Sequence, residues 1–556
     1  MKTLLKTDNK KFYPKSFKEK IESFSGGITS NSQRHLFLVS FSINFISAMI
    51  LYFGFFIGNG DAVSRSAHAY YVLFSREPSL AAIGFVWPPL PSLIQIPIIP
   101  IFNWLGHPSL AGPFISSLFG ALSLVVFNLI LDKLETPKRY RLIFLLLLQF
   151  NILFLFLSSI GMAEPIALCL VLAAIWGYLE IDKRTRSWVI CGLSLGFAFF
   201  VRYEAIALTA GVIIAVMIYE LGQNNNWKVE LEGRLLVLLV PLVYSVMLWM
   251  FFNWTIMDDA TYFLTSVYSL SNAPDIARIY GIAHPYFLAW NNILEAINIA
   301  IKRIWSQSPL FMIAFIPTFW VSLKQKNFRF VGLLIILISI PMFTTLQVFL
   351  GSLASWFRYW FYVIPFGFIL AGMLYKMLND HHGAKLIFWG AILLSVASYQ
   401  LSLSAMKMDD VGRDEQRIRA VLVGDFARNQ QIKSQDGYWI FRHDAPIVAQ
   451  ALDQFSENGL VLVDASRGYN NIMEAKYPER LFISSDLDFF NALENPAEYV
   501  RFILLLDPKD SDGLNVFAMV WPELVDGDVP WASLVWESQD TLASWRIFEI
   551  KSSPVD

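Results

Sequence analysis

The sequence is short of charge. Asp, Glu, Lys and Arg make up 16% of 556 residues, against roughly 25% in a typical soluble domain. Too few ionisable side chains exist to coat a water-facing surface, and an apolar chain of this kind is not a disordered one. Cysteine is nearly absent: Cys169 and Cys191 are the only two, both inside apolar runs, so no disulfide framework is available. P-loop, HExxH and paired CxxC patterns are all missing, as is any repeat of 20–50 residues. No removable leader is apparent either. Eight Lys and Arg precede position 35, and no cleavage pattern follows the first apolar run, so residues 1–34 read as a basic cytoplasmic tail beside anionic lipid.

What the chain has is apolar length: 55% apolar residues, 15% aromatic and a mean hydropathy of +0.49. Apolar runs fall near 36–58, 111–131, 142–157, 165–180, 188–201, 205–220, 235–254, 309–323, 330–350, 359–378 and 386–405. Most are long enough to cross a bilayer core as helix. The expectation is a polytopic α-helical membrane protein with about eleven spans over 35–406. With the N-terminus inside, the inner connections hold 22 Lys and Arg and the outer ones 7, which sets the orientation. The outer connections 59–110 and 255–308 are long, and an odd span count puts the chain after 406 outside, at the cell membrane's exterior face.

Net charge divides at the same place. Residues 407–556 carry 14 basic and 26 acidic side chains, whereas the whole chain nets −2. Helical periodicity over 443–458 and strand-like runs at 459–464, 481–484 and 500–507 predict a soluble α/β domain there. An acidic exterior domain repels phosphate backbones, so nucleic acid is excluded as a partner.

The residues that stand out are ionisable groups at the outer ends of apolar runs. Asp61 directly follows the first run, where a carboxylate can accept a proton from an attacking hydroxyl or amine. Arg65 lies four residues on, within helical pairing reach; a capping Asp with a routine ion pair is the plainer reading of these two. Trp87 precedes Pro88-Pro89-Leu90, whose prolines fix the backbone that presents the indole. Glu164, Arg202, Glu204 and Arg358 each interrupt apolar sequence at the same predicted depth. Such residues are costly near lipid and face a cavity or a partner, and arginine forks suit phosphate. Asp258-Asp259 and His284-Pro285 define no ligand set for a divalent metal, so no metal or cofactor is assigned.

In these residues the chain resembles the GT-C membrane glycosyltransferases, and within them the bacterial and archaeal relatives of protein O-mannosyltransferases and aminoarabinose transferases. The resemblance spans about 36–405. It rests on Asp61, Pro88-Pro89-Leu90, Glu164 and Arg202-Tyr203-Glu204, in that order and on one predicted side. It implies transfer of a sugar from a polyprenyl-phosphate donor to an extracytoplasmic acceptor, with inversion and with Asp61 as the base. It further implies that Arg65, Trp87, Glu164, Arg202, Glu204 and Arg358 serve the donor phosphate and the substrates. Two departures stand out: the family's His-Pro-Pro-Leu is Trp87-Pro88-Pro89-Leu90 here, and the acidic pair after the first helix is the single Asp61. Two other readings fit the same composition, a transporter or lipid flippase and a non-catalytic scaffold.

Overall fold

The computed structural model describes residues 31–181, 185–222, 227–266, 269, 288–378, 381–510, 515–527 and 529–551. Residues 1–30 of the basic tail and His284-Pro285 of the second long loop lie outside the described residues.

Each of the eleven apolar runs contains helix. Seven helices are long and apolar enough to cross a membrane: Asn31–Phe55, Pro108–Lys133, Ala205–Gly222, Leu231–Met257, Phe328–Phe349, Phe357–Met377 and Lys385–Ala405. An eighth span results if Ile293–Gln307 and Pro309–Lys324, bent by 105°, count as one. The bend falls on Ser308, whose extended backbone suits the residue before a proline and whose Oγ restarts the helix by accepting from Phe311 N at 3.3 Å. The run at 142–157 is likewise not one helix. It breaks at Phe150-Asn151, where Asn151 Oδ1 accepts from Leu153 and Phe154 N and caps a new helix. Glu164–Leu179 is a shorter apolar helix of 16 residues. The chain is a multi-pass membrane protein.

Burial sorts the helices. Phe357–Met377 and Glu164–Leu179 are enclosed nearly throughout, whereas Asn31–Phe55, Leu231–Met257 and Lys385–Ala405 keep most of their apolar surface on the outside of the bundle. An apolar outside is what lipid demands and water forbids.

After the last span, short helices Arg413–Leu422, Phe426–Lys433 and Gly437–Ser456 lead into a five-stranded sheet ordered β2-β1-β3-β5-β4. Its strands are β1 (Val461–Val463), β2 (Leu481–Ile483), β3 (Phe502–Leu506), β4 (Ala532–Glu537) and β5 (Trp545–Ile550). β1 pairs in parallel with β2 and β3, while β5 runs antiparallel to both β3 and β4. Side chains alternate across the sheet. Leu462, Ile503, Leu505 and Phe548 pack on the far face with Phe517 and Trp521. Val461, Val463, Leu504 and Ile547 share one apolar cluster with Val63, Ala67, Tyr70 and Tyr71 of the Gly60–Phe74 helix. The helix Ala465–Glu474, which follows β1, packs directly on the helix that carries Asp61 and links the sheet to it.

Candidate functional site

The first span ends in a wide π turn, Ile50–Phe55, after which Phe56 takes a left-handed conformation (φ 52°) and turns the chain. Asn59 then caps the Gly60–Phe74 helix, its Oδ1 accepting from Asp61 N at 2.9 Å. Asp61 thus sits in a first helical turn, where the helix dipole favours negative charge. Its Oδ2 accepts from Arg358 Nη2 at 2.7 Å. Arg358 comes from the 3₁₀ turn Phe357–Trp360 and lies over the Trp356 ring at 4.7 Å.

Glu164 opens its helix with Pro165 beside it, after a loop that turns at Gly161 (φ 85°). A Cβ on Gly161 would stand 3.0 Å from the backbone carbon of Gly112, so only glycine allows both the conformation and the approach. Glu164 Oε1 accepts from Arg202 Nη1 at 2.9 Å and stands 3.9 Å from Arg358 Nε. Arg202 Nε donates to Glu204 Oε1 at 2.6 Å, and the Tyr362 hydroxyl donates to the same oxygen at 3.0 Å. Asp61, Arg358, Glu164, Arg202 and Glu204 therefore form one connected network drawn from four separate segments. Within it the Glu164 side chain is 1% exposed and Arg358 5%, while Asp61 at 36% is the part-exposed member.

Arg65 and Trp87 stand together beside this network, with the guanidinium 5.1 Å above the indole. The indole is held by its neighbours, since Tyr203 OH donates to Val86 O at 3.1 Å and Leu90 N to Phe200 O at 2.9 Å. Arg65 does not make the i,i+4 ion pair with Asp61 that its spacing allows. Arg358 pairs with Asp61 instead, and the indole face takes the Arg65 guanidinium by a cation–π contact. Arg65 Nε and Nη1, Arg358 Nε and Glu164 Oε2 are buried and have no hydrogen-bond partner among the described residues. A concentration of unsatisfied buried donors is rare in folded proteins and calls for a functional account.

The electrostatics follow from these neighbours. Burial works against ionising Asp61, but Arg358, with Arg65 and Arg202, outweighs it and holds the carboxyl below its usual range. Burial likewise works against charge on Arg202, and Glu204 and Glu164 overcome it, keeping Arg202 firmly cationic. His68, one turn beyond Arg65, is pushed down to about 4 by burial and by Arg65, and is neutral at physiological pH.

Sequence reasoning missed Asn59, Asp414 and Glu415. Asp414 Oδ2 accepts from Asn59 Nδ2 at 2.8 Å, and Glu415 Oε1 accepts from Arg358 N at 2.9 Å. Burial, and the nearness of other acids, push both of these carboxyls above the usual range. Their one signal is an acidic pair soon after the last apolar run, indistinguishable in sequence from solvated acids. Among the described residues no group of three or more His, Cys, Asp or Glu is placed to hold a metal ion.

No family model and no curated protein matches the chain. Solved structures do. The chain is similar to ArnT from Cupriavidus metallidurans bound to undecaprenyl phosphate, at 14% identity and a TM-score of 0.54, over 94% of this chain and 99% of that one. The fold is the GT-C membrane fold. Two structures of the Archaeoglobus fulgidus oligosaccharyltransferase are weaker matches. The one in complex with Zn and sulfate gives 14% identity and a TM-score of 0.44, over 85% of this chain and 68% of that one. The one tethered with an acceptor peptide gives 12% and 0.46, over 94% and 74%. At 14% identity the likeness to ArnT is one of fold, and chemistry has to be argued from the residues of the Asp61 network.

Proposed function

We propose that the protein is a membrane glycosyltransferase that moves a sugar from a polyprenyl-phosphate donor to an extracytoplasmic acceptor, with inversion and with Asp61 as general base. The N-terminus then lies in the cytoplasm and residues 407–556 outside. The observation that carries this reading is the set of buried, unsatisfied arginine donors beside the Asp61 carboxylate. An arginine fork matches phosphate in shape and charge. Support also comes from the solved structure of like fold, ArnT, which holds undecaprenyl phosphate.

The donor phosphate lies against Arg358, Arg202 and Arg65, with its isoprenoid among the spans. The acceptor's hydroxyl or amine attacks the anomeric carbon on the face away from the phosphate. The new bond to that carbon forms as the carbon–oxygen bond to phosphate breaks, the electron pair leaves with the phosphate oxygen, and the acceptor's proton passes to Asp61. The arginines stabilise the charge gathering on the leaving phosphate. Glu164 and Glu204 hold Arg202 in place, and Trp87 offers an apolar face to sugar or prenyl carbons. A carboxylate paired with Arg358 is a weak base. The donor phosphate competes for that guanidinium, so donor binding itself raises the proton affinity of Asp61. Substrate order is thereby built into the pair.

The test is the full chain in liposomes with a synthetic polyprenyl-phosphate sugar and an outer-leaflet acceptor extract. The expected result is a glycosylated product of inverted anomeric configuration together with free polyprenyl phosphate. Counterflow of the lipid with no product would establish a flippase instead.

A further inference from the structure

The helix Arg413–Leu422 follows the last span and reaches the site with three side chains in its first turn and a half. Asp414 accepts from Asn59 Nδ2 at 2.8 Å, and Asn59 Oδ1 in turn accepts from Asp61 N at 2.9 Å. Glu415 accepts from Arg358 N at 2.9 Å with one oxygen and from Gly412 N at 3.0 Å with the other. Arg417, fully buried, donates to Phe55 O at 2.9 Å and to Asp436 Oδ2 at 2.5 Å, tying the helix to the end of the first span. Next to it Arg303 bridges Asp410 Oδ2 at 2.6 Å and Ser355 O at 2.9 Å, fixing the loop that precedes Arg358. Gly412 permits the geometry, since a Cβ there would lie 2.4 Å from Asp414 Oδ1. Acids in a first helical turn are favoured by the dipole, but solvent would serve them as well. These two are buried and aimed at the backbone and cap of the two residues that form the central ion pair.

We infer that Asp414 and Glu415 are positioning residues of the transfer site, Asp414 orienting Asp61 through Asn59 and Glu415 fixing Arg358. The segment after the last span is then a working part of the site and not only a tether for the sheet. This rests on the functional reading above, and it divides the labour: Asp414 serves the base, Glu415 serves the donor's phosphate.

The experiment measures transfer by the full chain in liposomes while donor concentration varies. Asp414→Ala lowers kcat about tenfold, the worth of one lost hydrogen bond, and leaves the donor KM near wild type. Glu415→Ala does the reverse, raising donor KM about tenfold. Asp414→Asn and Glu415→Gln, which keep an acceptor oxygen, recover most of each loss. Asn59→Ser retains the helix cap but takes away the amide N–H that reaches Asp414. It lowers kcat like Asp414→Ala, does not add to it, and carries the test if the alanine variants misfold. Alanine variants that fold and lose nothing, lose kcat and KM alike, or are not recovered by the amides overturn the inference. So does an Asn59→Ser loss that adds fully to that of Asp414→Ala. Absence of transfer by the unaltered chain would sink the functional reading itself, a distinguishable result.

Discussion

The two ends of the bundle both carry ion pairs, yet they are built differently. At the end remote from Asp61, Lys133 meets Glu180 at 2.7 Å, Lys376 meets Glu135 at 3.0 Å, and Arg141 meets Asp132. One partner in each is substantially exposed, as Glu135 is at 71% and Asp132 at 62%. At the Asp61 end every partner except the part-exposed Asp61 is enclosed or nearly so, and buried arginine donors have no partner among the described residues. Exposed pairs contribute little to stability and are cheap to keep. Enclosed ones are expensive, and buried charges left half-paired are a net cost to the fold. The contrast is the one the proposed function calls for: the remote pairs dress the ends of spans, whereas an enclosed and half-satisfied network at Asp61 is what a transfer site would keep.

Breaking the contrast at its strongest point gives the largest effect. Asp61→Asn keeps size and helix cap but cannot take a proton, so kcat falls by about 10²–10⁴-fold while the protein elutes and melts like the parent. Near-normal turnover would remove Asp61 as the base. Next comes Arg358→Gln, which raises the donor KM by about ten- to a hundredfold, the scale of a charge-assisted hydrogen bond. It also changes the pH profile in a definite direction. As the proposed base Asp61 works ionised, so activity is expected above its pKa and is lost as pH falls through it. In kcat/KM, which reports the free enzyme, that acid limb lies below the ordinary carboxylate range while Arg358 is present, and removing the guanidinium moves it to higher pH. A limb that stays put would show that Arg358 does not set the proton affinity of Asp61.

Arg65→Ala sharpens the comparison. Its buried Nε and Nη1 have no partner among the described residues, so truncation raises donor KM severalfold while the melting temperature holds or climbs; a large loss of stability would make Arg65 a structural residue. The smallest effect belongs to the other end. Lys376→Ala changes stability by less than about 1 kcal/mol and leaves both kinetic constants alone, and any kinetic change there would erase the distinction between the two ends.

The helical bundle was legible in the sequence because apolar length is a direct signal. Glu164, Arg202, Glu204 and Arg358 were legible because charge is conspicuous at the end of an apolar run. β1, β2 and β3 showed as compact apolar runs, while β4 and β5, which alternate buried with part-exposed residues, did not. The pairing was harder to read. A local rule offers Arg65 to Asp61, but the contest is decided by Arg358, 297 residues away, through the three-dimensional approach of two segments. Asp414 and Glu415 were lost for a related reason. An acidic pair just after an apolar run carries no sign of its direction, and only the fold turns these two inward.

The account's central claim is that a lipid phosphate lies against Arg358 and frees Asp61. Its most direct test is a cryo-EM structure of the full chain in nanodiscs with polyprenyl phosphate. The prediction is a head group within hydrogen-bonding distance of Arg358 and Arg202, with Asp61 no longer paired to Arg358 and turned toward open space. A head group bound elsewhere, with the Asp61–Arg358 pair intact, would contradict it.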